Sequence, residues 1–108
     1  MLDLPSLTST HLAAARASER GRSAEVIVHD GELRQSVIAL TAGTELAEHN
    51  APPAASLQVL DGRVRVTDPE GGVEVASGGL HLLTHERHAV VALEDAVFLL
   101  TTVTSVPA

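Results

Sequence analysis

Six histidines, at positions 11, 29, 49, 81, 85 and 88, are the main groups in this chain able to ligate a metal or move a proton near neutral pH. There is no cysteine, which removes disulfides, thiolate nucleophiles and cysteine-ligated zinc. No Ser-His-Asp order, phosphate-cradling glycine loop or paired-carboxylate motif stands out. His49 raises the sharpest question. It follows an apolar strand pattern and precedes the proline-punctuated loop "NAPPA". Such an imidazole could be half of a metal site, a polar liner of a cavity, or a surface residue.

The elements that must position these residues are mostly strands. Pro5 predicts an irregular start, and "STHLAAARASERG" reads as a short helix capped by Ser9 or Thr10 and ended by Gly21. Its apolar face is mostly alanine, so it is expected to lie on a sheet as a flap, with His11 at the surface. After Gly21 the apolar period changes to two. "AEVIVHD" and "ELRQSVIALT" flank Asp30-Gly31, and "SLQVL" and "RVRVT" flank Asp61-Gly62; both pairs predict tight hairpins. "VEVA", "LHLL", "HAVVAL" and "AVFLLTTV" complete eight or nine short strands with evenly spaced turns, the pattern of an all-β sandwich or closed barrel. The expected organisation is an N-terminal extension with the helix over 1–22, one β-barrel domain over 23–104, and a frayed tail over 105–108.

Composition narrows the function. With 108 residues there is room for one core. Phe98 is the only aromatic residue, so the core must be aliphatic and a pocket lacks platforms for stacking sugars or bases. Fourteen acidic against seven basic side chains give a net charge of −7, which repels a phosphate backbone, and nucleic-acid binding is not expected. Nothing reads as a secretory signal or a membrane span, and a cytoplasmic protein that does not engage membranes is expected.

Over residues 33–103 the chain resembles the cupin superfamily of small jelly-roll barrels. Gly43, five intervening residues, His49 and the closing Gly62 match the spacing of the first cupin motif. "GGLHLLTHERHAVVALED" resembles the second, with Gly78 or Gly79 and His88, and with Thr84 where a proline is usual. "LTAGTELAEHNAPPA", "LQVLDGRVRV" and "RHAVVALEDAVFLLT" look like small bacterial single-cupin proteins, mostly without an assigned activity. The resemblance implies an all-β, cupin-type antiparallel jelly-roll β-barrel (a double-stranded β-helix) with a short N-terminal helix. It departs at the metal ligands: Ala51 stands where the second histidine of His-x-His belongs, and Ala54 or Ala55 where the glutamate belongs.

Of the usual four ligands the resemblance therefore leaves His49 and His88, which facing sheets of a barrel could bring together. A divalent transition ion (zinc, iron, manganese or nickel) wants about four ligands. Gln58, polar inside the apolar run "SLQVL", is the candidate third. The alternative is a metal-free polar cavity in which His49, Gln58 and His88 hydrogen-bond one another, water or a ligand. His81 could share the inward face, and Arg87 could meet an anionic ligand at the rim.

The expectation is thus a barrel that binds a small, apolar or weakly polar molecule in its interior. The alternative is a metal-dependent cupin enzyme of dioxygenase or isomerase type with a degenerate His49/His88 site. Whether it is an enzyme stays open. A homodimer is expected through the outer faces of "SLQVL" and "AVFLL", whose apolar residues fall on both sides of the strand.

Overall fold

The computed structural model describes residues 1–47, 52–84 and 86–104. It contains helix α1 (Leu4–Ala17) and strands β1 (Arg22–Asp30), β2 (Leu33–Leu40), β3 (Glu45–Ala47), β4 (Ala54–Asp61), β5 (Arg63–Asp68), β6 (Gly71–Ala76), β7 (Leu80–Leu83), β8 (Ala89–Ala92) and β9 (Ala96–Val103). The helix begins earlier than the Ser9/Thr10 cap read from sequence. Asp3 caps it, accepting from Ser6 N at 3.3 Å and from Ser6 Oγ at 3.0 Å. Pro5 lies in the first turn, where a missing N–H removes no helical hydrogen bond, so it starts the helix and does not block it.

The strands form two antiparallel sheets in the orders β1-β2-β9-β4-β7 and β3-β8-β5-β6. β-Branched residues alternate across them with a period of two. Val64 and Val66 of β5, Val90 and Ala92 of β8, Leu57 and Val59 of β4, and Phe98 of β9 meet between the sheets in one aliphatic core. Phe98 is fully buried there. The other face of the five-stranded sheet packs Val37, Ala39 and Val97 beneath Ala15, with Leu4, Leu7 and Leu12 of α1 alongside. The second apolar side of "AVFLL" is therefore covered, around Val97 and Leu99, by the chain's own helix.

Asp30-Gly31 makes the expected hairpin between β1 and β2. Asp61-Gly62 does not make one. β4 pairs with β7 and β9, while β5 pairs with β6 and β8, so this turn carries the chain from one sheet to the other. A Gly at a left-handed position suits a hairpin and such a corner equally, which is why the dipeptide alone misleads. Gly62 has φ +82°, and a Cβ there would meet the Asp95 carbonyl oxygen and approach Ala96 Cα to 2.8 Å.

Asp95 ties this corner to the helix. Its carboxylate accepts from Ala42 N at 2.9 Å and from Arg16 Nε at 2.8 Å. The Ala42 N–H, then the Arg16 guanidinium, hold the carboxyl below its ordinary value.

The two motif glycines should respond differently to substitution. Gly43 also has a positive φ (+84°), but a Cβ there meets nothing within 4 Å. Gly43→Ala should cost only the left-handed backbone strain, about 1–2 kcal/mol. Gly62→Ala adds a backbone clash and should cost clearly more. Urea denaturation of both variants checks the order; equal losses would contradict the corner geometry.

Candidate functional site

His88 immediately precedes β8 and continues the inward parity of Val90 and Ala92. It is 5% exposed, one of two buried charged or polar side chains in the described core. Its Nδ1 lies 3.1 Å from the Glu86 carbonyl oxygen, an acceptor, so Nδ1 carries the proton and donates. In the neutral ring, the buried Nε2 then holds the lone pair.

Beside His88 lies an open cavity of about 280 Å³, lined by Ala47, Thr67, Asp68, Pro69, Arg87, His88 and Ala89. Ala47, Ala89 and Thr67 are register partners, and their neighbours Leu46, Val66 and Val90 face the core, so this depression lies on the outer face of the four-stranded sheet while the His88 ring points inward. Asp68 sits at the β5–β6 turn and accepts from Glu70 N at 2.8 Å, which fixes its carboxylate. Arg87 is exposed at the same rim, so both signs of charge border the opening.

The other expected site residues divide. His81 of β7 lies opposite Leu57, whose side chain is in the barrel core, and it is half-buried. It lines a separate cavity of about 230 Å³ with Asp68, Glu70, Gly72 and Thr84. Gln58 is exposed, not interior. Its neighbours Leu57 and Val59 occupy the core, so parity turns Gln58 to the outer face, opposite Leu80 and Leu99. A polar residue in an apolar run marked the solvent side of the strand. His49, with Ala51 and His85, lies outside the described residues; Ala54 is exposed and Ala55 is in the core.

One polar cluster was not expected. His11, on the inner face of α1, is buried against β1, with Nδ1 2.8 Å from Ser23 Oγ and Nε2 2.9 Å from Glu25 Oε1. The signal was present as spacing: His11 lies four residues before Ala15, on the same helix stripe, and Ser23 and Glu25 share one face of β1. Reading the helix face as alanine alone hid it.

No protein-family model matches the chain, and no curated protein sequence matches it significantly. Solved structures do. A conserved protein of unknown function from Streptococcus pyogenes superposes with a TM-score of 0.74 at 24% identity, covering 83% of this chain and 80% of that one. A cupin superfamily protein from Desulfitobacterium hafniense gives 0.72 at 13% identity, covering 78% of each chain. A salicylate 1,2-dioxygenase from Pseudaminobacter salicylatoxidans gives 0.75 at 16% identity, covering 90% of this chain but 33% of that one. The fold is the cupin barrel.

A transition metal wants a convergent set of imidazole or carboxylate donors. Among the described residues no three His, Asp or Glu side chains come together in that way. With Gln58 outside the barrel, the described donor set does not fit a metal. No helix among the described residues is long and apolar enough to cross a membrane.

Proposed function

We propose that this chain is a small-molecule-binding barrel whose ligand is taken in the barrel interior, at the inward-facing His88. The observation that supports this reading is a buried imidazole on the inward face of an otherwise aliphatic barrel. Ligand sites of about 300 Å³ and above are lined mainly by apolar groups with a few convergent polar ones. The fit is to a small, weakly polar molecule beside the His88 ring, with the exposed Arg87 next to it in sequence.

A two-part experiment tests this. In a ligand-observed NMR screen of small weakly polar molecules, hits against the wild type should disappear with His88→Leu, which replaces the buried imidazole with an apolar side chain of similar bulk. Hits unaffected by that change would place binding elsewhere. Metal analysis of untagged protein decides the alternative reading as a metal-dependent enzyme. It should find no near-stoichiometric transition metal; one that vanishes in a His49→Ala, His88→Ala double variant would reverse the order of the two readings.

The proposed assembly is a homodimer. Leu80 and Leu82 of β7 are 70% and 76% exposed on the outer face, beside Ser56, Gln58 and Thr101. No charged side chain interrupts this set, although the chain carries −7 overall. Two acidic copies repel each other least across such a neutral face. β7 is also the last strand of its sheet and carries neither Pro nor a formal charge, the devices that blunt an edge against pairing. Light scattering should give twice the 11.2 kDa chain mass, and Leu80→Glu with Leu82→Glu should return the single mass. A wild-type mass of one chain at micromolar concentration would refute the dimer.

A further inference from the structure

The buried His11 is not used by the barrel site, and its two hydrogen bonds define a direction. Glu25 is an ionised acceptor, so His11 Nε2, 2.9 Å from Oε1, carries the ring proton. Nδ1 then presents its lone pair to Ser23 Oγ at 2.8 Å, and the hydroxyl donates to it. A hydroxyl held by a base, with that base oriented by a carboxylate, is the arrangement of an activated serine nucleophile. Here the two ring nitrogens exchange their usual roles.

Local structure holds the three in line. Ser23 and Glu25 alternate on β1 toward α1, and His11 sits 7% exposed on the helix face packed against them. The cluster is not sealed: Ser23 is half-buried, and the Glu25 side chain is 54% exposed. β1 ends its sheet, so it pairs on one side only. Every second N–H of such a strand points out of the ladder. One of the consecutive Ser23 and Ala24 N–H groups is therefore open beside Oγ, where it could donate to a developing oxyanion.

We propose that Ser23, His11 and Glu25 form an acyl-transfer site on the outside of the barrel, separate from the His88 site. Its substrates are small uncharged esters, because the Glu25 carboxylate and the chain's net charge of −7 repel anionic acyl groups. Ser23 Oγ bonds to the ester carbonyl carbon while its proton passes to His11 Nδ1. The tetrahedral adduct then expels the alcohol, which leaves with that proton. Water, deprotonated at the same nitrogen, attacks the acyl-serine; the carboxylic acid departs and the proton returns to Oγ. Glu25 positions the ring and stabilises the imidazolium.

A fluorophosphonate probe tests this on the full chain without knowledge of the natural ester. Oγ–P bond formation displaces fluoride, and intact mass followed by peptide mapping should show one adduct per chain, at Ser23. Ser23→Ala should carry none. His11→Gln should react at least about 100-fold more slowly, the size of a lost general base. Glu25→Gln, an exposed change that spares the helix packing, should lower the maximal inactivation rate while leaving the half-saturating probe concentration unchanged. Circular dichroism should be the same for all four proteins. No adduct on the folded wild type, an adduct that persists in Ser23→Ala, or an undiminished maximal rate in Glu25→Gln would each overturn the proposal.

Discussion

The structure depends on β9 being buried on both faces. Val97 and Phe98 are consecutive, both fully buried, and they point opposite ways: Val97 beneath α1, Phe98 into the barrel. A strand in that position needs two layers over it, so the helix and the second sheet are both required. Full burial of side chains of this size is worth about 1.5–3 kcal/mol each. The pairing of β9 with β2 and β4 then fixes which residues of those strands face inward, because a one-residue slip would exchange the two sides. The Gly62 corner and the Arg16–Asp95–Ala42 contacts hold the same two layers together from the end.

That constraint explains what could be read in the sequence. Period-two runs bounded by glycines gave the strands and the barrel class, because alternation is local and each strand carries its own record of inside and outside. The Asp61-Gly62 corner could not be told from a hairpin, since pairing partners are chosen by distant strands. The two-sided apolar content of "AVFLL" was legible, but not what covers it. The alanine-rich stripe of α1 accounts for the part over Val97 and Leu99, and small residues allow that close approach.

The candidate site was legible where a residue's parity was anchored by neighbours. His88, Val90 and Ala92 share one side, and the inward placement of His88 follows from them. Gln58 shows the opposite case: polarity suggested a buried donor, while the parity of Leu57 and Val59 turns it outward. The His11 cluster joins a helix to a strand, and only the packing of the two reveals it. The two proposed sites thus lie in different places, one inside the barrel at His88 and one on the inner face of its helix. The cupin fold, shared with a protein of unknown function and with a salicylate 1,2-dioxygenase, does not choose between them.

The most direct test of the barrel site is a crystal structure at neutral pH refined with His49 and His88 both in place. The account expects the two imidazoles within roughly 8 Å of each other in the barrel interior, close enough to share one bridging water, ligand atom or ion. It also expects the His88 Nδ1–H to stay on the Glu86 carbonyl. A greater separation, with His49 turned to solvent, would contradict a shared site and leave His88 as a core histidine satisfied by its own surroundings.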